Sequence, residues 1–151
     1  MTSIAELMTH DHRSCDHDFA RAETLANKKD WSAASAALEA FAAGLEAHFQ
    51  AEEEDLFPRF EAATGMTHGP TQVMRGEHAE MRASIEQMRA ALASRDLDEF
   101  AGEAETLLIL MQQHNMKEEN ILYPMCDMHL GDQRATLVDT LAHRLAPEHA
   151  A

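Results

Sequence analysis

The chain has 151 residues, 45% of them hydrophobic, so it can bury the core of one ordinary domain and does not have the composition of a disordered protein. Its formal net charge of −15 makes nucleic acid and anionic membranes poor partners, because an acidic surface repels phosphate. Only six glycines and four prolines occur, in a chain rich in Ala, Leu, Met and Glu, which favours helix over strand.

Capping and turn signals divide the chain into four long helices and a short fifth. A capping-box pattern at Ser3 and Glu6 opens the first helix, and Asp30 and Asp96 are candidate N-caps for two later ones. Pro58 should distort or end the last turns of its helix, and no segment has the alternation typical of a strand. The predicted helices cover about 3–27, 31–62, 71–94, 96–128 and 132–145.

Short connections between four long helices predict an all-α fold, specifically an antiparallel up-and-down four-helix bundle with a short C-terminal fifth helix. The chain also repeats itself at an offset of 66 residues (114 − 48). We therefore predict a single domain over 1–151, built from two repeated helical hairpins at about 1–66 and 67–132. The matched positions are 48–58 with 114–124, 11–12 with 77–78, and Phe57 with Tyr123.

Each half of the repeat carries one histidine on its first helix and a His-x-x-x-Glu motif on its second. Side chains four residues apart on a helix point the same way, and these motifs lie within apolar stripes, so they face the predicted interior. An unpaired carboxylate is costly to bury, and a coordinated metal ion removes that cost. The candidate metal ligands are His12, His48, Glu52, His78, His114 and Glu118.

Four imidazoles and two carboxylates in matched halves suit two metal ions, each with two histidines and with both glutamates bridging. Mixed nitrogen and oxygen ligation without thiolate favours iron, with manganese or zinc as substitutes. Neither Glu-x-x-His nor His-Glu-x-x-His occurs, which argues against a ferritin-like di-iron site and a zinc metalloprotease.

These motifs are similar to those of the hemerythrin-like, or HHE cation-binding, family. The resemblance covers about residues 4–128 and rests on both His-x-x-x-Glu motifs, the Leu-Phe-Pro and Leu-Tyr-Pro that follow them, and the acidic residue before His12 and before His78. It implies two iron ions, Fe2+ or Fe3+, joined by an oxo or hydroxo bridge. It also implies that the centre binds O2, NO or peroxide.

One position departs from the oxygen-carrying members of that family, which have two histidines one turn apart on the third helix. Here Met74 and Arg82 flank His78 at four residues, so a coordination position is expected to be open or water-filled. The set of four histidines and two glutamates instead resembles the di-iron domain of iron-centre repair proteins. We expect a protein that binds or senses O2 or NO. The alternatives are an enzyme acting on peroxide or NO, and an iron store or donor.

The other polar residues are expected to have ordinary roles. Tyr123 could approach the site but is interpreted as a packing aromatic at the end of the bundle, and Glu119 is a rival to Glu118 that helical phase disfavours. An exposed position is predicted for six histidines, His10, His17, His68, His129, His143 and His149, and a solvated face for Glu53, Glu54, Asp55 and Glu119.

The two cysteines, Cys15 and Cys126, are too few for a disulfide scaffold. Cys15 is expected to be a core residue, and a bond between the two is not expected, because the helices place the sulfurs roughly 20 Å apart along the bundle. No basic-then-apolar segment opens the sequence, and no apolar run approaches about 18 residues. We therefore predict a cytoplasmic protein that does not contact a membrane.

Overall fold

The computed structural model describes residues 2–145, and every regular element in that range is helical, which confirms the all-α prediction. Two of the long helices continue without a break through a π-helical turn, and a 3-10 turn at Gly131–Gln133 precedes the last helix. The elements are α1 (Ile4–Asn27), α2 (Trp31–Gln50), a π turn (Ala51–Leu56), α3 (Phe57–Thr64), α4 (Pro70–Ala93), α5 (Leu97–Lys117), a π turn (Glu118–Leu122), α6 (Tyr123–His129) and α7 (Arg134–Leu145).

The predicted capping residues do begin their helices. The Ser3 hydroxyl accepts the Glu6 amide at 3.0 Å, and the Glu6 carboxylate accepts the Ser3 amide at 3.3 Å, which completes the capping box. Asp30 and Asp96 each accept the backbone amide three residues later. These side chains satisfy amides that the first turn of a helix leaves without partners.

Neither Pro58 nor Pro124 ends its helix, as each lies in the first turn of the α-helix that follows a π turn. Proline has no amide hydrogen to donate, so the helix can continue past it only if the backbone bonding shifts. The residue before each proline, Phe57 or Tyr123, donates its amide to the carbonyl five residues earlier. Each proline is therefore paired with a widened turn just before it, at equivalent places in the two halves.

Two apolar clusters fill the helical bundle and lie on either side of a polar layer. The first apolar cluster contains Phe19 and Phe41, whose ring centroids are 5.3 Å apart, and the second apolar cluster contains Leu56 and Phe60. Each of the four long helical segments contributes residues to both clusters, and its histidine or glutamate lies between those contributions. The chain therefore positions the polar layer by placing apolar residues on both sides of it.

The helices pack in the order α1 against α2 and α4 against α5, and the end of α6 returns to the start of α1. There Asp127 accepts the backbone amides of Ile4 at 2.9 Å and Ala5 at 3.1 Å. Within residues 2–145, no helix combines the length and the apolar character needed to cross a lipid bilayer.

Cys15 and Cys126 are both buried and both free, in agreement with the predicted absence of a disulfide between them. Burial raises the pKa of each thiol, and carboxylates nearby, Asp11 for Cys15 and Glu52 for Cys126, raise it further. Neither side chain is therefore a reactive thiolate at neutral pH.

The short helix α7 is part of the core rather than an appendage. Leu137 and Leu141 are fully buried in the second apolar cluster, and Arg144 binds Asp55 at 2.7 Å and Glu54 at 2.9 Å on the π turn after α2. This helix therefore packs over one of the two widened turns.

We predict that Leu141→Ala lowers the free energy of unfolding by about 2–5 kcal/mol, because it removes a buried side chain and leaves a cavity. Urea denaturation followed by circular dichroism measures the change. The matched control is Ile109→Ala, which truncates a half-exposed side chain on α5 and should change the value by less than about 0.5 kcal/mol. Equal losses in the two variants would mean that α7 does not contribute to the core.

Candidate metal centre

The six predicted ligands meet in the polar layer, although they come from four different helical segments. No residue of the six is more than 3% exposed. Donor atoms from Glu52, His78, His114 and Glu118 all lie within 4.8 Å of one another, and so do donor atoms from His12, His48 and Glu118. The structure therefore forms two adjacent groups, each with two histidines.

Each glutamate contacts a histidine from both groups. Glu52 places one carboxylate oxygen 3.0 Å from His78 Nε2 and the other 3.7 Å from His48 Nε2. Glu118 Oε1 lies 3.0 Å from His12 Nε2 and 3.3 Å from His114 Nε2. Two carboxylates shared between two pairs of imidazoles are the arrangement expected for bridging ligands.

The polar layer contains buried side-chain atoms that no hydrogen bond satisfies. Four buried atoms of the layer, Glu52 Oε1, Glu118 Oε2, His78 Nε2 and His114 Nε2, form no hydrogen bond. Although Glu52 Oε1 lies 3.0 Å from His78 Nε2, both atoms are acceptors when the neutral ring of His78 carries its proton on Nδ1. Leaving a buried polar atom without a partner costs free energy, so such atoms in a core call for an explanation. Carboxylate oxygen and imidazole nitrogen are both metal ligands, and a bound cation would satisfy them.

A second layer of carboxylates binds the outer nitrogen of each of the four candidate ligand histidines. The Nδ1–H groups donate to Asp11 from His48 at 2.8 Å, to Glu53 from His78 at 2.6 Å, to Glu77 from His114 at 2.8 Å and to Glu119 from His12 at 2.7 Å. In the neutral imidazole, the bond at Nδ1 fixes the tautomer and leaves the Nε2 lone pair directed inward, as metal-binding histidines require.

These outer contacts follow the same offset as the repeat. Asp11 binds His48 in the first half, and their counterparts 66 residues later, Glu77 and His114, bind each other. Glu53 and Glu119 are also 66 residues apart, and each binds the first-helix histidine of the opposite half, His78 and His12 respectively. The prediction that Glu53 and Glu119 belong to a solvated face is wrong, because each reaches across to the histidine of a neighbouring helix. Glu118 faces inward and Glu119 outward, in the order that helical phase favours.

Tyr123 lies inside the layer, so its interpretation as a packing aromatic at the end of the bundle is wrong. Its hydroxyl is 2.7 Å from Glu52, 2.8 Å from Glu118, 3.1 Å from His12 Nε2 and 3.2 Å from His48 Nε2. In an α-helix, five residues turn a side chain about 140° away from Glu118. The π turn at Glu118–Leu122 widens the helix and returns Tyr123 to the face of Glu118.

Burial and charge act against each other on the ionisable groups of the layer. Burial would lower the pKa of His48, but Glu52 and Asp11 outweigh it and hold that pKa well above the usual range. Burial likewise opposes protonation of His114, whose pKa nevertheless rises to about 9 because of Glu118. Burial, followed by the charges of Glu118 and Glu52, raises the pKa of Tyr123 well above its usual value.

The two residues flanking His78 differ from each other. Met74 is buried in the second apolar cluster, whereas Arg82 is partly exposed and binds Glu46 and Glu53 across the surface. Five of the remaining histidines are exposed, as predicted, and His149 lies outside the described residues. The five are His10, His17, His68, His129 and His143.

Comparison with known proteins agrees with this geometry. The model of the hemerythrin HHE cation binding domain matches residues 3–126, and the chain belongs to that family. It is therefore a metal-binding protein. A curated relative, a DNA nickase of Nostoc sp. (strain PCC 7120 / SAG 25.82 / UTEX 2576), is 32% identical over 90 residues, which are 60% of this chain and 24% of the relative. The match thus spans about a quarter of that relative's length. No solved structure matches the chain.

We predict that Glu119→Gln weakens metal binding by roughly ten- to a hundredfold, because it removes the carboxylate that orients His12. Titration of the metal-free protein with Co2+, followed by absorption, measures the affinity. The matched control, Glu105→Gln, neutralises an exposed glutamate of α5 and should leave the affinity unchanged. An equal loss in both variants would assign the effect to overall charge and not to His12.

Proposed function

We propose that this chain is a non-haem di-iron protein that reversibly binds or senses O2 or NO at a carboxylate-bridged centre. One metal ion would be held by His12 and His48, the other by His78 and His114, and both by Glu52 and Glu118. The observation that carries this proposal is the position of the two glutamates, each within 3.7 Å of Nε2 atoms from both pairs.

The donor set favours iron among the metals that such a site accepts. Four imidazoles and two carboxylates offer nitrogen and oxygen but no sulfur, since the thiols of both cysteines are protonated and neither belongs to the two groups of candidate donors. When bound, two iron ions supply reversible one-electron chemistry toward a small ligand. The residues of this chain hold those ions, orient them and exclude water.

The burial of the layer limits what can reach it. All six proposed ligands are at most 3% exposed, and Phe49 and Phe57 stack near His78 with ring centroids 3.9 and 5.9 Å away. A diatomic molecule suits such an enclosed, partly apolar site better than a large organic substrate does. This supports O2 or NO as the ligand. Catalytic loss of peroxide would instead assign the chain to an enzyme.

We also propose how the helices that carry the site are arranged. The contact of Asp127 with Ile4 supports an antiparallel up-and-down four-helix arrangement, since it joins the end of one long segment to the start of another. The equivalent outer contacts support two repeated hairpins, about 1–66 and 67–132, within a single domain over 1–151. Two free thiols suit a reducing compartment, in line with the predicted cytoplasmic location.

Action on DNA is not part of this proposal. The name of the Nostoc relative describes a protein of which this chain matches only 24%, and a net charge of −15 opposes binding to phosphate. We predict that the iron-loaded protein leaves supercoiled plasmid intact over hours at physiological salt. Gel electrophoresis reads out nicked circles, and nicking that persists in a variant unable to bind iron would point to a second site.

The stoichiometry provides the first test of the di-iron proposal. Anaerobic reconstitution should give two iron ions per chain, measured by elemental analysis. A stable spectrum with O2 or NO that reverses on removal of the gas would support binding or sensing. A single zinc ion with no iron uptake would remove the proposal.

We predict that His48→Ala and His114→Ala each sharply reduce iron retention, because each removes a ligand from one of the two positions. Both variants should also melt at lower temperature than the iron-loaded parent, since metal binding stabilises the folded state. The control is His143→Ala, which alters an exposed histidine bonded only to the carbonyl of Asp139. Equal iron content in all three variants would contradict the ligand assignment.

A further inference from the structure

The two halves of the site differ at the position of Tyr123. The repeat places Phe57 at the equivalent position in the first half, and Phe57 is fully buried and has no polar atom on its side chain. The hydroxyl of Tyr123 approaches His12 and His48, whereas Phe57 stacks near His78. One metal position therefore has an additional oxygen donor at hand and the other does not.

The distances from Tyr123 Oη to its neighbours are those expected between donor atoms that bind the same metal ion. Neighbouring donors on an octahedral ion, each about 2.1 Å from the metal, lie roughly 3 Å apart, and each donor has four such neighbours. Tyr123 Oη has four neighbours at 2.7 to 3.2 Å, namely one atom each from Glu52, Glu118, His12 and His48.

The outer carboxylates of the two metal positions also differ, in whether a lysine or arginine binds them. Those that serve His78 and His114 are paired with cations, Glu53 with Arg82 and Glu77 with Lys117. Their counterparts at His12 and His48 are Glu119 and Asp11, and among residues 2–145 neither forms an ion pair with lysine or arginine. The His12/His48 position is consequently the more negative of the two and suits the ion of higher charge.

We propose that Tyr123 is a seventh protein ligand, bound as phenolate to the metal ion at the His12/His48 position, and that the two metal positions are therefore chemically different. The inference rests on the di-iron proposal. On coordination the phenol oxygen exchanges its proton, which leaves to solvent, for the bond to the metal. The open coordination position then belongs to the ion held by His78 and His114, on the side lined by Phe49 and Phe57.

Tyr123 is the only tyrosine in the chain, so a phenolate signal can have no other source. The test is to load the full chain with iron(III), count the metal, and record visible absorption and resonance Raman spectra. The expected result is two iron ions with a phenolate-to-iron charge-transfer band and the ring vibrations of a bound phenolate. Tyr123→Phe keeps the ring and should abolish both signals while still binding iron.

A matched variant moves the hydroxyl to the other half of the repeat. The double substitution Tyr123→Phe with Phe57→Tyr should restore the band, at a shifted energy, because the phenol then serves the His78/His114 position. In titrations with Co2+, Tyr123→Phe should weaken the first of two binding steps by at least about tenfold, as loss of a metal-orienting group does elsewhere.

The metal count and the spectra together distinguish a failure of the Tyr123 assignment from a failure of the di-iron proposal. Two iron ions per chain without a phenolate band in the unsubstituted protein would overturn the role of Tyr123 and leave the di-iron site standing. A weaker affinity in Tyr123→Phe without any such band would assign the hydroxyl to a hydrogen bond with the glutamates and would equally overturn it. Fewer than two metal ions per chain would overturn both.

Discussion

The burial of Glu52 and Glu118 between two apolar clusters determines how the polar groups around them are arranged. A carboxylate in such surroundings is strongly unfavourable unless other groups compensate its charge. Four histidines surround the two glutamates, four outer carboxylates hold those histidines, and Arg82 and Lys117 bind two of the outer carboxylates at the surface. The sign of the charge therefore alternates from the centre outward. Four atoms of this layer still lack hydrogen-bond partners, and a metal ion would satisfy them.

The features that the sequence predicted correctly are local ones. Capping at Ser3, Asp30 and Asp96 depends on contacts within three residues, and the spacing of His48 and Glu52 is fixed by one helical turn. The assignment of Glu53 and Glu119 to a solvated face was wrong, because their contacts depend on longer distances. Glu53 and Glu119 reach histidines on other segments, at sequence separations of 25 and 107 residues, so helical phase on their own segment cannot reveal their partners.

The position of Tyr123 was wrongly predicted for a different reason, since this residue lies only five residues from Glu118. Ideal α-helical geometry turns it away from the site, and the π turn brings it back. The signal was present in the sequence, because Pro58 and Pro124 follow the two glutamates at the same distance, and a proline inside a helix requires the bonding to shift. The repeated proline therefore predicts a widened turn, and with it a different face for the aromatic residue that precedes it.

Membership of the family establishes metal binding but not the identity of the small ligand that the metal would bind. Under the proposed function, the choice of ligand would depend on the residues at which the two halves of the repeat differ. Tyr123 places a phenol on one side of the centre, while Phe57 and Phe49 place apolar rings against the imidazole of His78 on the other. A neutral diatomic molecule needs little hydration to be removed before it enters such an apolar side, whereas a charged substrate would have to give up its water without new polar partners. The departure from internal symmetry, more than the symmetry itself, therefore favours O2 or NO over an ionic substrate.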